Sequence, residues 1–314
     1  MLTPPFTREG YIQAVGPTFA LAANVTKQRP KARASSILSC ARSIAYMMAG
    51  VEDEPLGEPH SRRTDDLELT AEQGRHMEDL SVAVIRTMGF EVIDRQVCIG
   101  HERCDDKHRQ GPVDYPVTGH PDGRIIRVED GLVWGFEHKH LGRYQFEKIL
   151  QQGVMAAKPE YIAQAVLYGK ALGWDAVQFV VQAQDSSSVR GDMTANLRAK
   201  NPAMRWAVKD VHPKLWVGAV DLRPLYETMF PALELRANWF RKYQPEFAAN
   251  PELVVREFSP FDMKDHWISV DGVATTMEVP DDFECAYCPH LTRCRTSEVE
   301  GTLSAPNWGG SGGN

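Results

Sequence analysis

Residues 119–140, GHPDGRIIRVEDGLVWGFEHKH, constrain this chain more than any other stretch. Two β-prone runs flank Asp130 and Gly131, and Asp-Gly favours a two-residue hairpin turn whose central positions both need positive φ. Taken as that turn, it sets Glu129 opposite Leu132 and, by extension, Asp122 opposite Lys139. Side chains alternate across a strand, so Glu137 shares the face of Lys139 and lies diagonal to Asp122, roughly 7–8 Å away between backbones. Phe136, His138 and His140 point to the other face. A slip of one residue would exchange the two faces, so this placement depends on register.

Two carboxylates and an ammonium gathered on one face have a chemical use. Asp122 and Glu137 offer hard oxygen ligands suited to Mg²⁺ or Mn²⁺. Such an ion activates water and stabilises charge building on a phosphate. Lys139 beside it can stabilise an attacking hydroxide or the pentavalent phosphorus centre. The alternative is a surface hairpin with ordinary charges, since an E-x-K triplet by itself is common.

The neighbouring segments supply the setting. Helices are expected over residues 36–49, ended by Gly50, and over 71–88, with Thr70 as cap and Leu80, Val84 and Met88 recurring at helical spacing. Strands are expected at 90–99, 117–128 and 132–140. Two helices follow near 144–156 and 160–172, then strands at 175–183 and 215–221 and a helix from about Leu222 to Tyr243. This order predicts an α/β domain around a mixed sheet. Gln164 and Tyr168 lie four apart on the helix after the hairpin, hence on one face. Gly74 and Glu78 lie four apart on the helix before the sheet.

The ordered set G-x-x-x-E, P-D, E-x-K, Q-x-x-x-Y resembles the RecB-like branch of the PD-(D/E)XK nuclease superfamily. The resemblance implies a restriction-endonuclease-like core, a mixed central sheet flanked by helices. It implies Asp122 and Glu137 as metal ligands, joined by the backbone carbonyl of His138 and by Glu78. It further implies Lys139 as the catalytic lysine, with Gln164 and Tyr168 positioning the lysine or the DNA. By the residues alone, Glu78 is equally a solvated helix position, Tyr168 a packing residue and Gln164 an exposed one.

Six cysteines remain to be placed. Cys285, Cys288 and Cys294 form C-x2-C-x5-C, and three close thiols in an intracellular protein point to a metal rather than to disulfides. Thiolates suit iron–sulfur clusters and zinc alike. Cys40 is the candidate fourth ligand, and His290 is an alternative if the metal is zinc. One distant cysteine plus C-x2-C-x5-C around a RecB-like core is similar to the CRISPR-adaptation iron–sulfur nuclease and to the AddB-type nuclease domain. That resemblance implies a [4Fe–4S] cluster fastening the C-terminal segment to the N-terminal helix. Cys98 and Cys104, near His101 and His108, are read as a buried strand residue and an incidental one.

The divisions expected are residues 1–66 as an N-terminal segment with the first cluster cysteine and 67–221 as the nuclease core. Residues 222–300 are a C-terminal helical and cluster-binding segment, and 301–314 a disordered tail. The net charge of −7 excludes a globally basic nucleic-acid binder, so phosphate contacts must be local. Candidates are Arg124, Arg143, Arg190 and Arg198, with Lys27, Arg29, Lys31, Arg33, Lys200 and Arg205 as further basic positions. Tyr144, Trp174 and Trp206 are candidate stacking residues, with core packing the favoured reading of Trp174. No run approaches the roughly 18 apolar residues of a membrane span, and no signal peptide is visible. The expectation is a soluble cytoplasmic enzyme of a bacterium or phage-infected cell. It would be a Mg²⁺- or Mn²⁺-dependent DNA exonuclease or end-processing nuclease in recombination, repair or phage replication. Its DNA would be single-stranded or have free ends. No G-x-x-x-x-G-K-[ST] motif is present, so any helicase, or a recombination protein, would be a separate partner. The alternatives are a nuclease trimming CRISPR spacers and a non-catalytic, cluster-bearing DNA scaffold.

Overall fold

Residues 176–183, AVQFVVQA, form the most apolar strand of the chain, as a strand covered on both faces must be. In the computed structural model, which describes residues 31–51, 64–100, 111–112, 114–126, 131–184, 215–257, 263–270, 273–280 and 290–307, this strand lies inside a five-stranded sheet. Contacts divide the described chain into two compact units: 31–32 and 39–73 with 239–305, and 33–38 with 74–238 and 306–307.

The second unit holds that sheet. Its strands are β1 (Glu91–Ile93), β2 (Gly123–Ile126), β3 (Trp134–Leu141), β4 (Ala176–Ala183) and β5 (Leu215–Asp221), in that spatial order. Every pairing is antiparallel except β3 with β4. A parallel pair needs a long crossover, and two helices supply it: α3 (Arg143–Ala157) and α4 (Pro159–Leu172). Pro159 opens α4 where a missing N–H is harmless, and Gly173, with φ of 72°, ends it. The fold is thus a mixed α/β sheet flanked by helices, as the element order predicts.

Helix α2 (Thr64–Thr87) covers the opposite face of the sheet from α4. It begins well before the expected Thr70 cap. Its buried side chains are Val82 and Ile85, which pack with Val92, Ile125, Phe136 and Val180. The expected stripe is displaced. Leu80, Val84 and Met88 are 52%, 50% and 66% exposed and border an apolar groove with Phe90, Trp134, Leu215 and Val217. Two apolar rows coexist on this helix, and contact with the sheet selects the other one.

The expected strand at 90–99 stops at Ile93, and the one at 117–128 is broken. Val117–Thr118 belongs to a separate two-stranded sheet, and β2 starts only at Gly123.

In the first unit, α1 (Ala41–Ala49) is shorter than expected, with Cys40 at its N-cap and Gly50 (φ 74°) at its C-terminal end. Fully buried Arg42 donates to the carbonyls of Val254, Glu252 and Val299 at 2.7, 3.0 and 2.8 Å, tying α1 to the C-terminal chain. The helix expected after Leu222 is broken into α5 (Arg223–Thr228) and α6 (Phe230–Lys242), followed by α7 (Gln244–Ala249). The segment beyond is not wholly helical. β6 (Met263–Val270) and β7 (Val273–Pro280) form an antiparallel hairpin whose last pair, Val270 with Val273, leaves Asp271 and Gly272 between them. A short helix, α8 (Leu291–Thr296), carries Cys294.

Candidate active site

The site is built on β3, WGFEHKHL. Gly135 near its start is required by Trp174, because a Cβ there would overlap the indole. Trp174 is 1% exposed and belongs to the core, so it is no stacking residue. Gly119 plays the same part for Tyr168, whose phenol occupies the space a side chain would need.

The hairpin register differs from the expectation by two residues. Gly123 pairs with Phe136, so Asp122, one residue before, stands level with Glu137 rather than with Lys139. A shift of two preserves side-chain parity, and the three groups still meet on one face. Asp122 Oδ2 accepts a hydrogen bond from the His138 N–H at 2.7 Å. Lys139 Nζ donates to Glu137 Oε2 at 2.6 Å. Glu137 is 1% exposed, and its second oxygen, Oε1, is buried without a hydrogen-bond partner.

Burial dominates the electrostatics. It raises the Asp122 carboxyl above its usual range, opposed by Lys139, the His138 N–H and Gln96. It pushes Glu137 up to about 8, with Lys139 opposing and Asp122 adding to the shift. For Lys139 burial acts downward, but Glu137 and Asp122 outweigh it and hold the ammonium above its ordinary range. Both acids lean on the Lys139 ammonium, and the Arg95 guanidinium adds a weaker opposing charge at Asp122.

Helix α4 closes this face. Gln164 and Tyr168 are both buried, and Gln164 Nε2 donates to the Tyr168 hydroxyl at 3.2 Å. The exposed reading of Gln164 does not hold, because α4 packs on the sheet along this row. The Tyr168 phenol is pushed up to about 12, first by burial and then by the Glu137 charge. Tyr161, one turn before Gln164, places its ring 5.3 Å from Lys139 Nζ. The i, i+3, i+7 spacing of Tyr161, Gln164 and Tyr168 marks one helix face, and that signal was available in the sequence.

Glu78 reaches the same region from α2. Its Oε1 accepts from Arg95 Nη2 at 2.8 Å and lies 3.4 Å from Gln96 Nε2, which is also 3.4 Å from Asp122 Oδ1. Arg95 Nη2 also donates to Asp79 at 2.6 Å. Arg95 and Gln96 carried no motif in the sequence.

The remaining sequence candidates separate. The His138 imidazole lies on the other face of β3 from Glu137, and burial pushes it down to about 4 against the opposing Glu78 charge. Arg124 is paired with Asp94 at 2.9 Å and Arg143 with Glu147 at 2.7 Å. Lys31 is buried, which removes it as a surface phosphate contact. Arg33 and Tyr144 are exposed. Lys27, Arg29, Arg190, Arg198, Lys200, Arg205 and Trp206 lie outside the described residues, as do Cys104, Cys285 and Cys288. Cys98 is buried as expected but is disulfide-bonded, against the expectation of reduced cysteines, and its sulfur lies 3.1 Å from His120 Nε2. Cys40 and Cys294 are free thiols.

Among the described residues, no group of three or more His, Cys, Asp or Glu side chains is gathered so as to hold a metal ion by itself. The Asp122–Glu137 pair still fits a hard divalent cation. Mg²⁺ is commonly held by one or two carboxylates plus waters and substrate phosphates. The unpartnered, buried Glu137 Oε1 is the oxygen such an ion would satisfy.

Comparison with protein families and with curated proteins finds no match to this sequence. Among solved structures, the alkaline exonuclease LHK-Exo from Laribacter hongkongensis is similar, at 15% identity and a TM-score of 0.35, over 71% of this chain and 95% of that one. LHK-Exo in complex with dAMP is similar at 16% identity and a TM-score of 0.34, over 71% and 96%. Likeness at this level assigns no activity, and the functional reading rests on this chain's own residues.

Proposed function

We propose that the chain is a divalent-metal-dependent DNA nuclease of the RecB-like PD-(D/E)XK kind, hydrolysing phosphodiester bonds as an exonuclease or end-processing enzyme. The observation that carries this reading is buried Glu137, its Oε1 unpartnered, gathered with part-buried Asp122 and Lys139 on one side of the β2–β3 pair. Asp122, Glu137 and the His138 carbonyl would hold the ion, which when bound activates water and offsets charge on the phosphate. Lys139, kept protonated by its two carboxylate neighbours, presents an ammonium that stabilises negative charge on the attacking oxygen and the phosphorus centre. The His138 N–H fixes the Asp122 carboxylate in place. Tyr161 limits the freedom of the Lys139 ammonium, and the buried Gln164–Tyr168 pair backs the site.

The test is incubation of the purified chain with linear and with closed circular DNA plus Mn²⁺. Degradation of linear DNA alone supports the exonuclease reading, and cutting of circles makes it an endonuclease. DNA binding without cleavage of either would favour the scaffold. Full activity in Lys139→Ala would remove the lysine from the mechanism.

We also infer that Cys40, Cys285, Cys288 and Cys294 hold a [4Fe–4S] cluster. Supporting this, Cys40 and Cys294 belong to the same compact unit, where the ring of Tyr46 on α1 lies 5.1 Å from that of His290 beside α8. Four thiolates would staple α1 to the C-terminal chain. Iron and sulfide assays on protein purified without oxygen test it. Zinc in place of iron, or unchanged iron in Cys288→Ala, would refute the assignment.

A further inference from the structure

After β1 the chain makes a turn, Asp94-Arg95-Gln96, that carries an unusual conformation. Asp94 (φ 53°) and Gln96 (φ 54°) are the two non-glycine residues with positive φ among the described residues, and they flank Arg95. L-residues are unfavourable there, and such conformations persist only where the surroundings impose them. Here each of the three residues is held. Arg124 donates to Asp94 at 2.9 Å. Arg95 donates to Glu78 at 2.8 Å and to Asp79 at 2.6 Å. The Gln96 N–H donates to the Pro121 carbonyl at 2.9 Å, immediately before Asp122.

Residue choice at position 96 is informative. Glycine or asparagine adopts positive φ at less cost than glutamine. The glutamine side chain, however, reaches both Glu78 Oε1 and Asp122 Oδ1, and asparagine would end one methylene short. The bridging amide keeps those two oxygens no more than twice 3.4 Å apart. The turn thus accepts backbone strain and gains reach to a carboxylate of the proposed metal site.

We propose that Arg95 and Gln96 are positioning residues that hold Glu78 and Asp122 beside one another, Glu78 standing at the edge of the Asp122–Glu137 pair that would hold the divalent ion. This rests on the nuclease reading above. Neither residue touches the reacting atoms; Arg95 acts through Glu78, and Gln96 through both Glu78 and Asp122.

The experiment titrates Mn²⁺ into the metal-free full-length chain by calorimetry, without DNA, alongside thermal unfolding. Gln96→Asn and Gln96→Gly should keep or raise the unfolding temperature, because both accept the backbone conformation, yet weaken Mn²⁺ binding about 10-fold. Arg95→Gln should weaken it similarly. In a Glu78→Gln background the Arg95 change should cost no further affinity, which a general structural role would not reproduce. Unchanged or tighter Mn²⁺ binding in the Gln96 variants, or affinity lost only in step with stability, overturns the proposal. If Asp122→Asn binds Mn²⁺ as well as the unaltered chain does, the metal reading itself fails and this inference falls with it.

Discussion

The two faces of strand β3 do opposite work with adjacent residues. Phe136 points toward α2 and is buried with Val82, Ile85, Val92, Ile125 and Val180. Glu137, the next residue, points toward α4 and is buried as deeply, but beside a carboxylate and an ammonium. Removing apolar surface from water favours folding. Burying charge opposes it unless the partners fully compensate, and Glu137 Oε1 is uncompensated. One face therefore stabilises the sheet and the other draws on that stability. The period of a β-strand makes the division possible within two residues.

This contrast can be broken in four ways. The largest expected effect is from Glu137→Gln, which keeps shape and removes a charge. Cleavage should fall on the order of 10³-fold or more, while the unfolding temperature of the metal-free protein holds or rises. A fall in both would mean the carboxylate supports the fold.

Phe136→Ala is the complement. It should cost about 3–5 kcal/mol of stability by opening a cavity in the α2-side cluster, measured by denaturant unfolding. A cost under about 1 kcal/mol would show that this face is not the stabilising one.

The third test is pH. Glu137 has its folded carboxyl raised to about 8 from an ordinary 4.5. The folded state therefore binds the proton more tightly, so this contribution is full below pH 4.5 and is lost as pH rises toward about 8. Unfolding of the metal-free chain should become easier across that window, and Glu137→Gln should flatten the dependence. A dependence that survives the substitution would assign it to another group.

The smallest effect is expected at the edge of the apolar face. Leu80→Ser and Val84→Ser, at half-exposed positions, should each change stability by no more than about 0.5 kcal/mol. A larger loss would show that the α2 groove is covered in solution.

Much of the candidate site was legible because it depends on parity and short-range chemistry. The expected turn was two residues out of register, yet Asp122, Glu137 and Lys139 still share a side, since an even shift does not exchange faces. Strand β5 was readable from its own residues, and so was the helix pair α3–α4. The hairpin β6–β7 was also within reach: Asp271-Gly272 between alternating runs is the same signal as Asp130-Gly131.

By itself the sequence determined the alternation that puts acids and lysine on one surface, the punctuation by glycine and proline, and the helical row of Tyr161, Gln164 and Tyr168. These follow from backbone geometry within a few residues. Only the tertiary structure decided which apolar row of α2 is buried, that Gln164 is covered, and that Asp94 and Gln96 adopt left-handed conformations around Arg95. Those outcomes are set by contacts between segments distant along the chain. A helix with two apolar rows, or a turn without glycine, carries no local preference strong enough to announce them.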